Sequence, residues 1–293
     1  MIIINFTSGL GNQLFQYFFG ESLKINLKDQ EIVYLNSLMP PEQIKIWDIF
    51  KVDIQEISQK DVKTFNFFIK KNKYLFINFV KLIIKFNMNI NSNIFSDNNY
   101  KIDSKIYFDK MKSYFFYGYW QNNKFFNKNF IEIKNQFSFK KKLSLNLLDE
   151  SLQDFDQIIG VHIRGGDYLK IKNKKIFYPI DENYYINHIK YFQSLFKNPI
   201  FLFFTDDITH LKKLLPVMQF NHKFIFDLCS DRNDDFQYLS LCNHFIIPNS
   251  SFSLWASYFS ENKNKIIMKP ENWFKESYTE KYKTDNYFKD NIN

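Results

Sequence analysis

The stretch of this 293-residue chain richest in chemistry is Gly160-Val161-His162-Ile163-Arg164-Gly165-Gly166-Asp167-Tyr168. Its apolar start predicts a strand. Side chains alternate along a strand, so His162 and Arg164 share a face. Two glycines follow, which lets the backbone turn without a Cβ clash. A guanidinium at a strand end is a way to hold phosphate, since its fork can bridge two oxygens. The bland alternative is a buried structural arginine paired with Asp167.

Three further stretches share this character. Gly9-Leu10-Gly11-Asn12-Gln13 follows the apolar run Ile2–Phe6. Backbone amides around Gly11 could approach an anion or sugar, and the Asn12 and Gln13 amides suit sugar hydroxyls. The alternative is an ordinary capped turn. Pro248-Asn249-Ser250-Ser251-Phe252-Ser253 opens a helix. Hydroxyls of Ser250, Ser251 and Ser253 with the Asn249 amide suit an anion at a helix N-terminus, and Phe252 suits a base or ribose. Plain capping explains one serine but not three. Thr205-Asp206-Asp207 ends an apolar strand, where either carboxylate serves a ligand or caps the next helix. Asp231, Asp234 and Asp235 precede a helix, where caps are usual and hydrogen bonds from a guanine edge are the alternative. Asp154-Phe155-Asp156 is a literal DxD, but it precedes a strand and reads as surface. No HExxH or GxxxxGK[ST] is present.

The elements that would position these residues are short. Strands are predicted at 2–6, 31–35, 158–163, 200–204, 223–226, 244–247 and 265–268, and a turn-ending strand at 115–120. Helices are predicted at 14–23, 183–196, 208–215, 235–242 and 252–259. Strands alternating with helices imply parallel, doubly wound sheets. The reading is α/β with two halves, residues 1–145 and 146–293, and the region 58–130 is helices and loops.

Composition narrows the class. The chain carries 39 Lys and Arg against 31 Asp and Glu, net +8, which admits an anionic partner without choosing one. The 36 Phe accompany many Lys, Asn and Ile, a skew typical of AT-rich coding. The basic residues are spread along the chain rather than clustered with stacking aromatics, which argues against a nucleic-acid binder. Cys229 and Cys242 form no zinc-type pair and read as free thiols of a reducing compartment. The start has no basic n-region, and no stretch approaches the ~18 apolar residues of a membrane span, so a cytoplasmic protein is expected. The basic, partly amphipathic residues 67–86 suit a helix packed on its own domain, or peripheral contact with the inner face of an anionic membrane.

GLGNQLFQ at 9–16, HIRGGDY at 162–168 and NSSFSLW at 249–255, in this order, resemble the bacterial α-1,2-fucosyltransferases. The anchors span nearly the whole chain. The resemblance implies a GT-B-like architecture, two Rossmann-like domains facing a cleft. It implies GDP-L-fucose as co-substrate, no metal or other cofactor, inversion, and a galactose-terminated glycan receiving fucose on its 2-hydroxyl, as in O-antigen or capsule synthesis. Arg164 would bind the β-phosphate and His162 would face the nucleotide. Asp235, with Asp234 as runner-up, would hold guanine. Ser250, Ser251, Phe252 and Ser253 would line the diphosphate and base. Asn12 would point at the fucose or the acceptor, and Asp167 is the candidate base. The glycines at 165 and 166 depart from relatives that carry a second arginine or another larger residue there. A transferase of the same fold with another sugar nucleotide or acceptor is the alternative, and a non-catalytic glycan binder is a third reading.

Overall fold

The structure, a computed structural model, describes residues 2–28, 30–35, 43–56, 93–96, 114–166, 170–214, 219–229, 231 and 233–277. The chain divides into two compact units, Met1–Ser138 and Phe139–Asn291. Residues 67–86 and the candidate base Asp167 lie outside the described residues.

The first unit holds strand β1 (Ile2–Asn5), helix α1 (Leu10–Asn26), and strands β2 (Ile32–Leu35), β3 (Asn93–Ser96) and β4 (Tyr114–Tyr117). They form a parallel sheet in the order β2-β1-β4-β3. All four residues of β1 are buried, the run expected of a parallel strand covered on both faces. Helix α1 starts earlier than its apolar periodicity predicts. Gly9 takes the N-cap in extended backbone, and its carbonyl accepts from the amides of both Asn12 and Gln13. The glycine motif is therefore a helix start rather than a free loop, and Gly11 lies in its first turn. Aromatics fill the space between helix and sheet: Phe19 stacks on Trp120 at 4.5 Å, and Tyr17 on Tyr34 at 5.4 Å. Each such pair contributes about 0.5–1.5 kcal/mol beyond its buried area.

The second unit holds β5 (Gln157–Ile163), α2 (Glu182–Leu195), β6 (Pro199–Thr205), α3 (Ile208–Leu214), β7 (His222–Phe224), α4 (Asp235–Ser240), β8 (His244–Ile246), α5 (Ser251–Phe259) and β9 (Ile267–Met268). The sheet order is β9-β8-β5-β6-β7, parallel throughout. Counted within the unit this is 3-2-1-4-5 read from the other edge, the doubly wound order. The core beside the sheet is Ile159, Val161, Ile163, Phe201 and Phe203 against Tyr185, Ile189 and Phe192 of α2. Residues 225–226, predicted as strand, instead begin a helical turn, Ile225–Leu228. Asp156 of the DxD accepts from the amides of Lys197 and Asn198 at 3.0 and 3.2 Å, ordering the turn into β6.

Strand order fixes where a ligand can enter. In a doubly wound sheet the crevice lies beyond the carboxyl ends of the strands, where the winding reverses. In the second unit that place is between β5 and β8. In the first unit β1 and β4 run side by side and parallel, so their carboxyl ends lie at one edge.

Candidate functional site

Arg164 follows the last residue of β5 at the second unit's reversal point. Ile163 pairs with Thr205, so the register sets residues 164 and 206 side by side. The guanidinium Nη1 of Arg164 lies 2.9 Å from Asp206 Oδ2, and the Gly165 amide donates to Asp206 Oδ1 at 2.7 Å. One carboxylate thus holds both the charge and the backbone that follows it. Asp167 was the partner weighed from sequence; the partner described is Asp206. Asp207 is the helix cap, accepting from the His210 amide at 2.9 Å.

The two glycines are a packing necessity here. A Cβ on Gly165 would collide with the Cβ of Asp207. Gly166 has φ +44, and a Cβ there would meet Asp206 Oδ2 at 2.9 Å. The loops after β5 and β6 touch backbone to side chain, leaving no room for a larger residue.

His162 is buried, its Nδ1 makes no hydrogen bond, and its ring centroid lies 5.7 Å from that of Phe252. Burial, and then the Arg164 charge, push its pKa down to about 3, so the ring is neutral at ordinary pH. The loop after β8 arrives from the other side of the reversal. Ser250 takes the N-cap position of α5 and is buried, yet its side chain accepts no bond from the helix amides. Ser251 and Phe252 are half-buried in the first turn. Phe252 also meets Phe236 at 5.4 Å, which ties the start of α5 to the start of α4, where Asp235 is the first residue.

Some expected ligand groups are already engaged. Ser253 is fully buried and its hydroxyl donates to the Ser250 carbonyl at 3.3 Å, so it stabilises the turn instead of facing a ligand. The Asn249 amide donates to the carbonyls of Tyr178 and Trp273, both at 2.9 Å. Lys141 donates to Asp231 at 2.8 Å and Asp234 at 2.7 Å, and its bond holds the Asp231 carboxyl below the usual range. Asp235 is the first residue of α4.

In the first unit, Gln13 is fully buried. Its Nε2 donates to the carbonyls of Ser8 and Ile44 at 3.0 and 2.8 Å, and its Oε1 accepts from the Ile46 amide at 3.1 Å. Both donors are spent, so Gln13 shapes the loop and cannot also bind a sugar. Asn12 Nδ2 donates to Ser8 Oγ at 3.0 Å, and Asn12 Oδ1 accepts from Gln121 Nε2 at 2.6 Å.

Sequence reasoning gave Asp206 no partner and did not single out Gln121. The signal for Asp206 was available: two adjacent parallel strands ending in Arg164 and Asp206. That for Gln121 was not, since 109 residues separate it from Asn12.

A braced guanidinium, a buried neutral histidine and a helix start at the reversal point of a doubly wound unit suit an anionic ligand. Sequence comparison gives the family. The model of glycosyl transferase family 11 matches residues 1–292, and the chain belongs to that family. An Escherichia coli alpha-1,2-colitosyltransferase is 28% identical over 94% of this chain and 92% of its own length. The O-antigen biosynthesis glycosyltransferase WbnK of Escherichia coli is 24% identical over 92% and 93%. The fold is similar to that of the fucosyltransferase NodZ from Bradyrhizobium, with TM-score 0.51 and 13% identity over 87% of this chain and 90% of that one. Among the described residues no helix is long and apolar enough to cross a membrane.

Proposed function

We propose that this glycosyltransferase moves L-fucose, or a close deoxyhexose, from its GDP derivative to the 2-hydroxyl of a galactose in a surface glycan. The reaction inverts the anomeric carbon and uses no metal. The observation that carries the reading is the Arg164–Asp206 pair beside His162 and Phe252 at the reversal point.

Departure of GDP from the sugar leaves negative charge on the β-phosphate. Arg164 offers a fixed cation there, and Asp206 keeps it aimed before the ligand arrives. Preorganisation of this kind is worth about 10²–10³ in rate per donor. The α5 start, with Ser250 and Ser251, adds the positive end of a helix dipole. Phe252 lies against the base or ribose, and Asp235 accepts from the guanine edge. The acceptor hydroxyl attacks the anomeric carbon from the face opposite GDP. Its proton passes to a carboxylate, for which Asp167 stands as candidate, or to the departing phosphate. In the first unit the Asn12 amide suits a sugar hydroxyl.

The name of the colitosyltransferase relative makes GDP-colitose the competing donor. Colitose is fucose without its 3-hydroxyl, so the two test the same site. Peripheral contact of residues 67–86 with the inner membrane face belongs to the same proposal, and nucleic acid has no place in it. Isothermal titration of wild type and Arg164→Ala with GDP, GDP-fucose, GDP-colitose, UDP-galactose and CMP in EDTA buffer tests the reading. Guanine nucleotides should bind selectively, and the mutant should lose them. Equal binding of CMP, or a demand for a divalent ion, would overturn it.

A further inference from the structure

We propose that Gln121 is a positioning residue of the acceptor-sugar site, acting through Asn12. The proposal rests on the transferase reading above.

In the first unit β1 and β4 are parallel neighbours, and polar side chains bridge the loops that follow them. Gln16 Oε1 accepts from the Thr7 amide at 3.0 Å, just after β1, while its Nε2 donates to the Gly118 carbonyl at 2.8 Å, just after β4. The second bridge is Gln121 to Asn12, and from there to Ser8. Gln16 is fully buried, and its bonds hold the two loops together. Gln121, Asn12 and Ser8 are each half-buried. They form the outer layer of the same seam.

Two backbone features mark this layer. Among the described residues Ser8 (φ 68) and Trp120 (φ 55) are the non-glycine residues with positive φ. Such left-handed backbone is disfavoured for a residue with a Cβ and persists where the surroundings enforce it. Ser8 supplies the last acceptor of the chain of bonds. Trp120 immediately precedes its first donor, and its ring is stacked on Phe19. The left-handed turn at Trp120 lets an indole anchored in the core be followed by a glutamine directed at α1. Strain at both ends of one hydrogen-bonded chain is the pattern of a site held in a set geometry.

The chemistry of the layer selects its ligand. Its members are two amides and a hydroxyl, without a charged side chain. Phosphate is served in the second unit by Arg164. Uncharged amides at the carboxyl end of a parallel sheet suit the hydroxyls of a neutral sugar. With Oδ1 of Asn12 taken by Gln121, the amide group cannot rotate, and its orientation toward a hydroxyl is set in advance.

The experiment compares wild type, Asn12→Ala, Gln121→Leu, Gln121→Glu and the double variant Asn12→Ala/Gln121→Leu. Transfer from GDP-fucose is followed to lactose, N-acetyllactosamine and lacto-N-biose, and GDP affinity is measured by titration. Gln121→Leu should raise the acceptor KM about tenfold, the scale of one neutral hydrogen bond, with GDP affinity within twofold of wild type. The double variant should be no worse than Asn12→Ala, because one residue works through the other. Gln121→Glu keeps the size and replaces the donor by an acceptor, so it should match Gln121→Leu, and it is read alone if the leucine variant does not fold. An unchanged KM, multiplying effects, or GDP affinity falling together with KM overturns the assignment. A wild type that binds GDP but fucosylates none of the three galactosides overturns the acceptor site alone. A wild type that does not bind GDP removes the transferase reading and this assignment with it.

Discussion

The two sheets are parallel throughout and use the polar groups at their carboxyl ends differently. At the first, Gln13 and Gln16 are fully buried and their amides are spent on backbone groups of the flanking loops. At the second, His162 keeps a buried nitrogen without a hydrogen bond, Ser250 leaves its helix without a side-chain cap, and a guanidinium is held by the Asp206 carboxylate. A satisfied polar group stabilises the fold and has little left for a ligand. An unsatisfied one costs stability until something binds. On the proposed reading the first crevice serves shape and neutral hydroxyls, and the second serves charge.

The comparison is broken most directly at Arg164. Arg164→Ala should lower turnover by about 10²–10³ while the melting temperature stays near that of wild type, because the Arg164–Asp206 pair is partly exposed and contributes little to stability. Turnover at the wild-type level would remove charge as the purpose of the second crevice. The mirror experiment lies in the first. Gln16→Leu leaves the Thr7 amide and the Gly118 carbonyl without their partner. Each such loss costs about 1–3 kcal/mol, read as a lower urea midpoint at unchanged slope. GDP affinity per folded molecule should not change. A stable Gln16→Leu protein with impaired GDP binding would reverse the roles given to the two crevices.

Asp206→Asn sharpens the comparison. The asparagine can still accept from the Gly165 amide but no longer neutralises Arg164. GDP should still bind, since a competing carboxylate has gone. Turnover should fall about tenfold as the guanidinium loses its set direction, with stability changed by less than about 1 kcal/mol. A fall in stability with turnover intact would make Asp206 a structural residue only.

How much of this was legible in the sequence follows from the range of the interactions. The strands of the second unit are short apolar runs, and β5, β6 and β8 fall within a residue or two of their predicted ends. The strand after residue 222 ends earlier, because nothing in Phe-Ile-Phe distinguishes strand from a helical turn by periodicity. Arg164, His162 and the α5 start were legible because local spacing defines them. The fates of Gln13, Asn249 and Ser253 were not. A free amide and one bonded to a backbone carbonyl far along the chain look alike in sequence. Asn249 donates to Trp273, 24 residues away, and Gln13 to Ile44, 31 away. The double glycine at 165–166 was visible as a departure, but its cause, the carboxylates following β6, comes from strand register.

The pH dependence of stability tests the second crevice without any ligand. His162 ordinarily titrates near 6.5; burial and Arg164 bring it to about 3 in the folded protein. The unfolded chain therefore binds a proton below pH 6.5 that the folded protein refuses until about pH 3. Stability must fall as pH falls through that window, by at most about 1.4 kcal/mol per pH unit for this one group. Burial holds His244 down as well, so wild type should lose stability on acidification from both rings. His162→Gln should lose only the share of His244 and the carboxylates, and its urea midpoint should drop less between pH 7 and pH 5. Arg164→Ala should stay close to wild type in this respect, because burial is the larger cause of the shift and the arginine charge the smaller. If His162→Gln and wild type instead lose stability in parallel, His162 accepts its proton while folded. The second crevice would then hold water enough to solvate an imidazolium, and its advantage for phosphate over the first would rest on Arg164 alone.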